Sequence, residues 1–280
     1  MFSIVSMLVP NSPNSHGVSH RPACSSCDSQ IPTTSTLNLT HPSAPSVVEH
    51  SRTTKQPARP RCLPWLISLA YPVARHLLLP LYFRRIEVSG REHLPATGPV
   101  IFAPTHRSRW DALIVPYAAG QDVTGRMLRF MVTADEMTGL QGWLIRRLGG
   151  FPINTRQPTI AALRHSIELL QQGETLVMFP EGDIYRQCRP LKPGLARLAV
   201  QAEASQENLG VQIVPIGIQY NKPLVPWRCT VKIRIGHPLK VADYWAETPK
   251  ASARKLTAKL EEVLRSLSSP CYGEGMKNEG

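Results

Sequence analysis

Short apolar runs alternate with amphipathic helical patterns from Arg85 onward, and that alternation leaves few architectures open. Strands are expected over residues 100–103, 129–132, 151–153, 176–179, 213–218 and 230–235. Helices are expected over 109–119, 136–148, 159–172, 194–204 and 251–267. Strands separated by helices must be joined by crossovers, which predicts an α/β domain: a single, largely parallel sheet flanked by helices. The clearest helix is 159–172, where Ile160, Leu163, Ile167 and Leu170 fall on one face and Gly173 is the stop signal. The pattern shows no internal repeat.

In such sheets chemistry gathers in the loops that follow strand ends. The first unusual loop is His106-Arg107-Ser108-Arg109-Trp110-Asp111, which follows the apolar run Pro99-Val100-Ile101-Phe102-Ala103. On one continuous helix, five positions separate two side chains by about 140° around the axis, so the histidine and the aspartate would diverge. They meet only if a helix starts between them. Ser108 is a candidate N-cap, and an acid three residues later fits the capping-box pattern. His106 then sits on the turn with Asp111 in the first helical turn, within reach of the far imidazole N–H. A histidine held by a buried carboxylate is a general base for deprotonating a hydroxyl. A plain helix cap beside an ordinary loop histidine fits the same residues, and the spacing alone leaves both readings open.

The second loop, Gly149 to Arg156, ends in an arginine just past a strand. The third follows Leu176-Val177-Met178 and reads Phe179-Pro180-Glu181-Gly182-Asp183-Ile184-Tyr185-Arg186, then Leu191-Lys192-Pro193-Gly194. A Pro-Glu-Gly turn holds its carboxylate on a stiff loop, and Gly182 permits positive φ or a close backbone approach. Arg156, Arg186 and Lys192 are candidates for a phosphate, although each taken alone also fits a solvated surface cation.

The most hydrophobic stretch, residues 62–83 (CLPWLISLAYPVARHLLLPLYF), has the length to span a bilayer, but Arg75, His76 and three prolines interrupt it. A segment lying in the membrane interface fits better, with Trp65, Tyr71 and Tyr82 at headgroup level and Arg84-Arg85 on lipid phosphate. A buried helix covering the core is the other reading. Residues 1–60 hold twelve serines and only two acids, Asp28 and Glu49, with no sustained apolar period. They read as a disordered leader, a targeting segment or the product of a misassigned start. The net charge is +12, and the leader carries only four basic and two acidic residues, so the excess belongs to the folded part. A basic surface suits phosphates of many kinds. No helix-turn-helix, zinc-finger, RRM or KH signature is present, which argues against nucleic acid. Cys24 and Cys27 form one C-x-x-C and the other four cysteines are scattered, so neither a metal site nor a disulfide framework is expected.

Together, His106 and Asp111 separated by four residues, followed some way on by Phe179-Pro180-Glu181-Gly182, resemble the signature of the PlsC-like phospholipid acyltransferases. This is the family of lysophosphatidic acid and glycerol-3-phosphate acyltransferases. The likeness runs from about Leu63 to Leu267 and includes the late Val214-Pro215 turn. It implies transfer of a fatty acyl group from acyl-CoA or acyl carrier protein to the free hydroxyl of 1-acyl-sn-glycerol 3-phosphate. No metal and no cofactor beyond that co-substrate are required. In that reading His106 takes the hydroxyl proton, Asp111 orients the imidazole, and Glu181 and Gly182 shape the acceptor site. Arg156, Arg186 or Lys192 binds the phosphate, and Pro215, at a strand end, lies near the donor.

The implied plan is a leader over 1–60, an interfacial helical segment over 61–85, an acyltransferase domain over 86–268 and a flexible tail over 269–280. Its setting is the cytoplasmic face of a membrane, or a plastid if the leader is a transit peptide, with lipid surface, acyl donor and lysophospholipid as partners. Two departures bear on the acceptor. The lysophosphatidate enzymes commonly continue Thr-Arg-Ser after Phe-Pro-Glu-Gly, where this chain has Asp183-Ile184-Tyr185-Arg186. The family's Phe-Ile-Asp-Arg block is here Pro152-Ile153-Asn154-Thr155, with Arg156 one position late. Glycerol 3-phosphate or another lysophospholipid is therefore the alternative acceptor. A hydrolase would use the same histidine with water, yet no G-x-S-x-G elbow is present. A noncatalytic lipid-binding protein would use only the basic face.

Overall fold

A computed structural model describes residues 64–153, 159–185, 189–222 and 224–268. The leader, the tail, Arg156 and Arg186 lie outside the described residues. The chain enters through α1 (Pro64–Val73), a π-helical turn (Ala74–Leu78) and α2 (Leu79–Tyr82). It continues through β1 (Arg85–Ser89), β2 (Val100–Pro104), α3 (Asp111–Ala119), α4 (Gln121–Thr124), β3 (Leu128–Thr133), α5 (Gly139–Arg147) and β4 (Phe151–Ile153). The remaining elements are α6 (Ile160–Gln171), β5 (Thr175–Val177), α7 (Gly194–Ser205), β6 (Gln212–Tyr220), β7 (Thr230–Ile235), β8 (Leu239–Lys240) and α8 (Pro249–Leu267).

One sheet orders them β1-β7-β6-β2-β5-β3-β4, with β8 also on β6. All pairs are parallel except β6 with β7 and β6 with β8. All five residues of β2 are buried. Val100 and Phe102 face one core with α2 and α3, while Ile101 and Ala103 face the other with α7 and α8. A strand covered on both sides reads as a continuous apolar run, which is why β2 stands out in the sequence. Because β2, β5 and β6 are mutually parallel, their C-terminal ends open onto the same edge of the sheet.

The structure adds β1 and β8 to the expected strands, and it differs from the expected positions at several residues. Pro215 is not at a strand end but in the middle of β6, beside Ala103 of β2. It is accommodated because β6 pairs with β8 through Gln212 and Ile213, then with β7 from Ile216 onward. Pro215 falls in that gap, its carbonyl accepting from Gly236 N–H at 2.9 Å. A strand residue's N and O point to the same side, so the missing N–H also faces the gap and the β2 ladder is unbroken. Of the expected face of α6, Ile160 is the first helical residue and is exposed, whereas Leu170 is buried together with Ala162, Ser166 and Leu169, and Leu163 and Ile167 pack against the core.

The apolar entry segment is one bent helical run whose two faces differ. Trp65, Leu69, Val73, Leu77 and Leu81 form an exposed stripe, whereas Leu79 and Tyr82 are buried. Of the aromatics expected at headgroup level only Trp65 points outward. Tyr82 donates its hydroxyl to Val225 O at 2.8 Å. Tyr71 lies against Gly120, and burial pushes its phenol up to about 12. Arg75, the charge that interrupts the run, turns inward to Tyr117 O and the Asp122 carboxylate, 3.1 and 2.6 Å away. Arg85 pairs with Glu87 at 3.0 Å. No helix among the described residues is long and apolar enough to cross a membrane. The β6–β7 connection packs against the end of this run: Arg228 N–H donates to Tyr82 O at 2.8 Å, and Leu224 and Trp227 are exposed beside it. Val225 in that connection has φ +48°, costly for a β-branched residue, and the Tyr82 hydroxyl on its carbonyl helps hold it there.

Candidate active site

The loop after β2 brings His106 and Asp111 together as the spacing requires. The regular part of α3 begins at Asp111, with Trp110 as N-cap residue making no side-chain cap. The capping bonds lie half a turn upstream. Ser108 Oγ accepts from Trp110 N–H at 3.3 Å, and Asp111 Oδ2 accepts from Ser108 N–H at 2.8 Å. The same Oδ2 accepts from Arg107 N–H at 2.6 Å and lies 3.0 Å from His106 Nδ1. The cap and the histidine–aspartate pair are therefore one arrangement, built on a carboxylate that is 0% exposed.

An ionised carboxylate only accepts, so His106 carries its proton on Nδ1 and presents Nε2 as the basic nitrogen. Among the described residues nothing bonds Nε2, and the side chain keeps 17% exposure. Phe179, the first residue of the Phe-Pro-Glu-Gly turn, stacks on the imidazole with centroids 3.9 Å apart and planes 21° apart. A flat apolar face there fixes the ring plane, and no reading of the sequence assigned Phe179 that task.

The loop after β5 joins the first through a residue also missed. Arg107 Nη1 donates to both oxygens of Glu181, at 2.8 and 2.6 Å, and to Tyr185 O at 2.9 Å. Tyr185 N–H returns a bond to His106 O at 3.0 Å. Burial pushes the Glu181 carboxyl above its ordinary 4.5, and the Arg107 guanidinium acts against that rise. Glu181, expected to shape the acceptor site, is 2% exposed and spends its carboxylate on Arg107. Its place is beneath the site, tying one loop to the other. Gly182 has φ +74°, and a Cβ there would meet Lys192 Nζ at 2.7 Å. Lys192 thus lies across the turn, exposed, with no carboxylate paired to it among the described residues. Lys192 N–H holds Pro180 O at 2.9 Å, fixing that approach. Pro215 lies inside the sheet, its ring beside Gly236.

Behind the pair stands an aromatic cluster. Tyr82 packs on Trp110 at 4.1 Å between centroids, Phe83 meets Trp110 edge-on at 5.4 Å, and Phe83 stacks on Tyr220 at 6.1 Å. Tyr220, the last residue of β6, donates its hydroxyl to Asp111 Oδ1 at 2.6 Å. Burial and then the Asp111 charge hold its phenol well above the ordinary 10, so it stays a donor.

The site is thus a carboxylate-held histidine at the end of one strand of a mostly parallel α/β sheet, facing a Pro-Glu-Gly turn at the end of the neighbouring strand, an arrangement able to accept and return a proton. A family model described as Acyltransferase matches residues 85–219, which contain both loops. Over those residues the chain is similar to the PlsC-like acyltransferases. It is 30% identical over 149 residues to a 1-acyl-sn-glycerol-3-phosphate acyltransferase of Streptococcus pneumoniae, covering 51% of each chain. It thus spans about half the length of that relative. With the protein of the same name from Bacillus subtilis it shares 23% identity over 185 residues, covering 66% of this chain and 88% of the relative. The crystal structure of the lysophosphatidate acyltransferase PlsC from Thermotoga maritima superposes with a TM-score of 0.56 at 21% identity, covering 72% of this chain and 78% of the other, a likeness of fold.

Proposed function

We propose that this protein transfers a fatty acyl group from a thioester, acyl-CoA or acyl carrier protein, to the free hydroxyl of 1-acyl-sn-glycerol 3-phosphate, giving phosphatidic acid. The observation that carries this reading is the His106 Nδ1 to Asp111 Oδ2 bond of 3.0 Å on a ring whose Nε2 is open. Nε2 takes the acceptor proton as the hydroxyl oxygen attacks the thioester carbon. The imidazolium formed is stabilised by Asp111 and later returns its proton to the thiolate leaving group. Both bonds change at one bound substrate pair, so neither a covalent acyl-enzyme nor a metal is needed. Lys192, exposed over Gly182, supports a phosphate on the acceptor. The relatives' names supply the lipid acceptor. A second reading, glycerol 3-phosphate or another lysophospholipid as acceptor, is favoured by Asp183, an added carboxylate directly after the Pro-Glu-Gly turn.

We further infer that the protein works on a membrane surface. The stripe of Trp65, Leu69, Val73, Leu77 and Leu81, with Leu224 and Trp227 beside it, leaves a broad apolar face open, and exposed Arg84, Lys222 and Arg228 adjoin it. Purified protein given labelled oleoyl thioester and 1-acylglycerol 3-phosphate is expected to form phosphatidic acid. His106→Ala is expected to lower turnover by about 10²- to 10⁴-fold while the fold is retained. Wild-type rates in His106→Ala refute the base. Labelled fatty acid released equally with and without acceptor refutes the transferase reading.

A further inference from the structure

The Asp111 carboxylate is held by a residue 109 positions away that belongs to neither loop motif. Oδ2 accepts three bonds, from His106 and from the Arg107 and Ser108 amides, whereas Oδ1 accepts one, from the Tyr220 hydroxyl. We propose that Tyr220 is a positioning residue of the acyl-transfer site, setting the Asp111 carboxylate and through it the aim of His106 Nε2. This rests on the His106 base assignment above.

The three bonds to Oδ2 are all local, within five residues along the chain, and act on a single oxygen. They resist rotation about Cβ–Cγ at that one oxygen only, and their donors sit on the same loop as Asp111, so carboxylate and donors can shift together and carry Oδ2 and His106 out of aim. A bond to Oδ1 from a fixed external point removes that freedom. Tyr220 is such a point. It ends the buried strand β6, pairs across to Val231 of β7, is stacked by Phe83 and is itself buried. β6 runs four residues past the point where it pairs with the end of its parallel neighbour β2, so the phenol arrives from the same sheet edge that carries the loop. A buried carboxylate oxygen without that partner would lack its one bond and draw the side chain elsewhere. The hydroxyl touches Asp111 rather than any open space, so Tyr220 acts through the carboxylate and not on substrate.

The test is Tyr220→Phe, which removes one oxygen and keeps the ring, with Tyr82→Phe as control. Tyr82 is the other buried hydroxyl of the same cluster, donated to Val225 O rather than to the pair. Tyr220→Phe is expected to lower kcat about ten- to hundredfold, the range for a hydrogen bond to a charged group, with KM for donor and acceptor unchanged. Tyr82→Phe is expected to keep kcat within about twofold. In an Asp111→Asn background, Tyr220→Phe is expected to add no further loss, since the two act as a unit.

Wild-type kcat in Tyr220→Phe, an equal fall in Tyr82→Phe, or a full further loss in the Asp111→Asn background would each overturn the proposal. Two measurements need neither substrate nor a well-folded variant. Wild-type protein is expected to show a low-field, slowly exchanging Tyr220 hydroxyl proton close to the Asp111 β-protons, and a single His106 tautomer protonated on Nδ1. Absence of the hydroxyl signal refutes Tyr220 alone, whereas a full-rate His106→Ala refutes the base on which it rests.

Discussion

Two regions of this molecule reverse the usual partition of side chains, in opposite senses. Around Asp111, charged and polar groups lie inside: Asp111 and Glu181 are buried, and Arg107 nearly so. Along the entry helix, Trp65, Leu69, Val73, Leu77 and Leu81 lie outside. The first reversal is balanced within the chain, because each buried carboxylate meets donors that the two loops and β6 supply. The second has no balancing surface among the described residues. A buried polar group must find its partner during folding, whereas an exposed apolar face can take its partner from outside. The two regions are therefore expected to fail under different assays.

Breaking the internal region is expected to damage the protein in solution, with no membrane present. Arg107→Met leaves the buried Glu181 without its guanidinium and is expected to cost about 3 kcal/mol of unfolding free energy, read by urea or thermal unfolding. A cost below about 1 kcal/mol would show that water reaches Glu181 and would dissolve the contrast. The external region is expected to respond the other way. Trp65→Ser with Leu77→Ser is expected to change unfolding free energy little and to weaken binding to anionic vesicles by at least about a hundredfold, given roughly 1.5–3 kcal/mol per large apolar side chain buried. Unchanged vesicle binding would leave the stripe without an occupant.

The smallest effect sharpens the internal case. Burial holds the Glu181 pKa above 4.5 in the folded state, so the folded protein keeps its proton to higher pH than the unfolded chain does. The stability this gives is complete below 4.5 and is lost as pH rises through the folded value. Glu181→Gln is expected to remove that downward slope from a plot of unfolding free energy against pH. An unaltered slope would assign it to another group.

What was legible in the sequence follows the same division between local and distant. His106, Asp111 and the start of α3 could be read because their bonds span five residues or fewer. β2 could be read because both its faces are buried. The bond from Arg107 to Glu181 spans 74 positions and that from Tyr220 to Asp111 spans 109, so no spacing announces either. A tyrosine closing an otherwise apolar strand, one residue past Gln219, is the faint signal Tyr220 offers. The resemblance puts Pro215 at a strand end, and only the exchange of β8 for β7 along β6 shows how a proline sits inside this strand without breaking its ladder. In the entry helix, the apolar composition was plain while the sorting of Tyr82 inward and Leu81 outward depended on what packs behind it.

That helix contains a turn of π geometry at Ala74–Leu78, and its consequence is one of phase. The outward residues recur every fourth position, and in an α-helix each such step overshoots a full turn by about 40°. Five residues so spaced would spiral through about 160° and lose a common direction. A π turn takes more residues per revolution, so steps through it fall short and wind the pattern back. The extra residue works like a leap day, returning a drifting calendar to its season, and it keeps Leu77 and Leu81 aligned with Trp65 and Leu69.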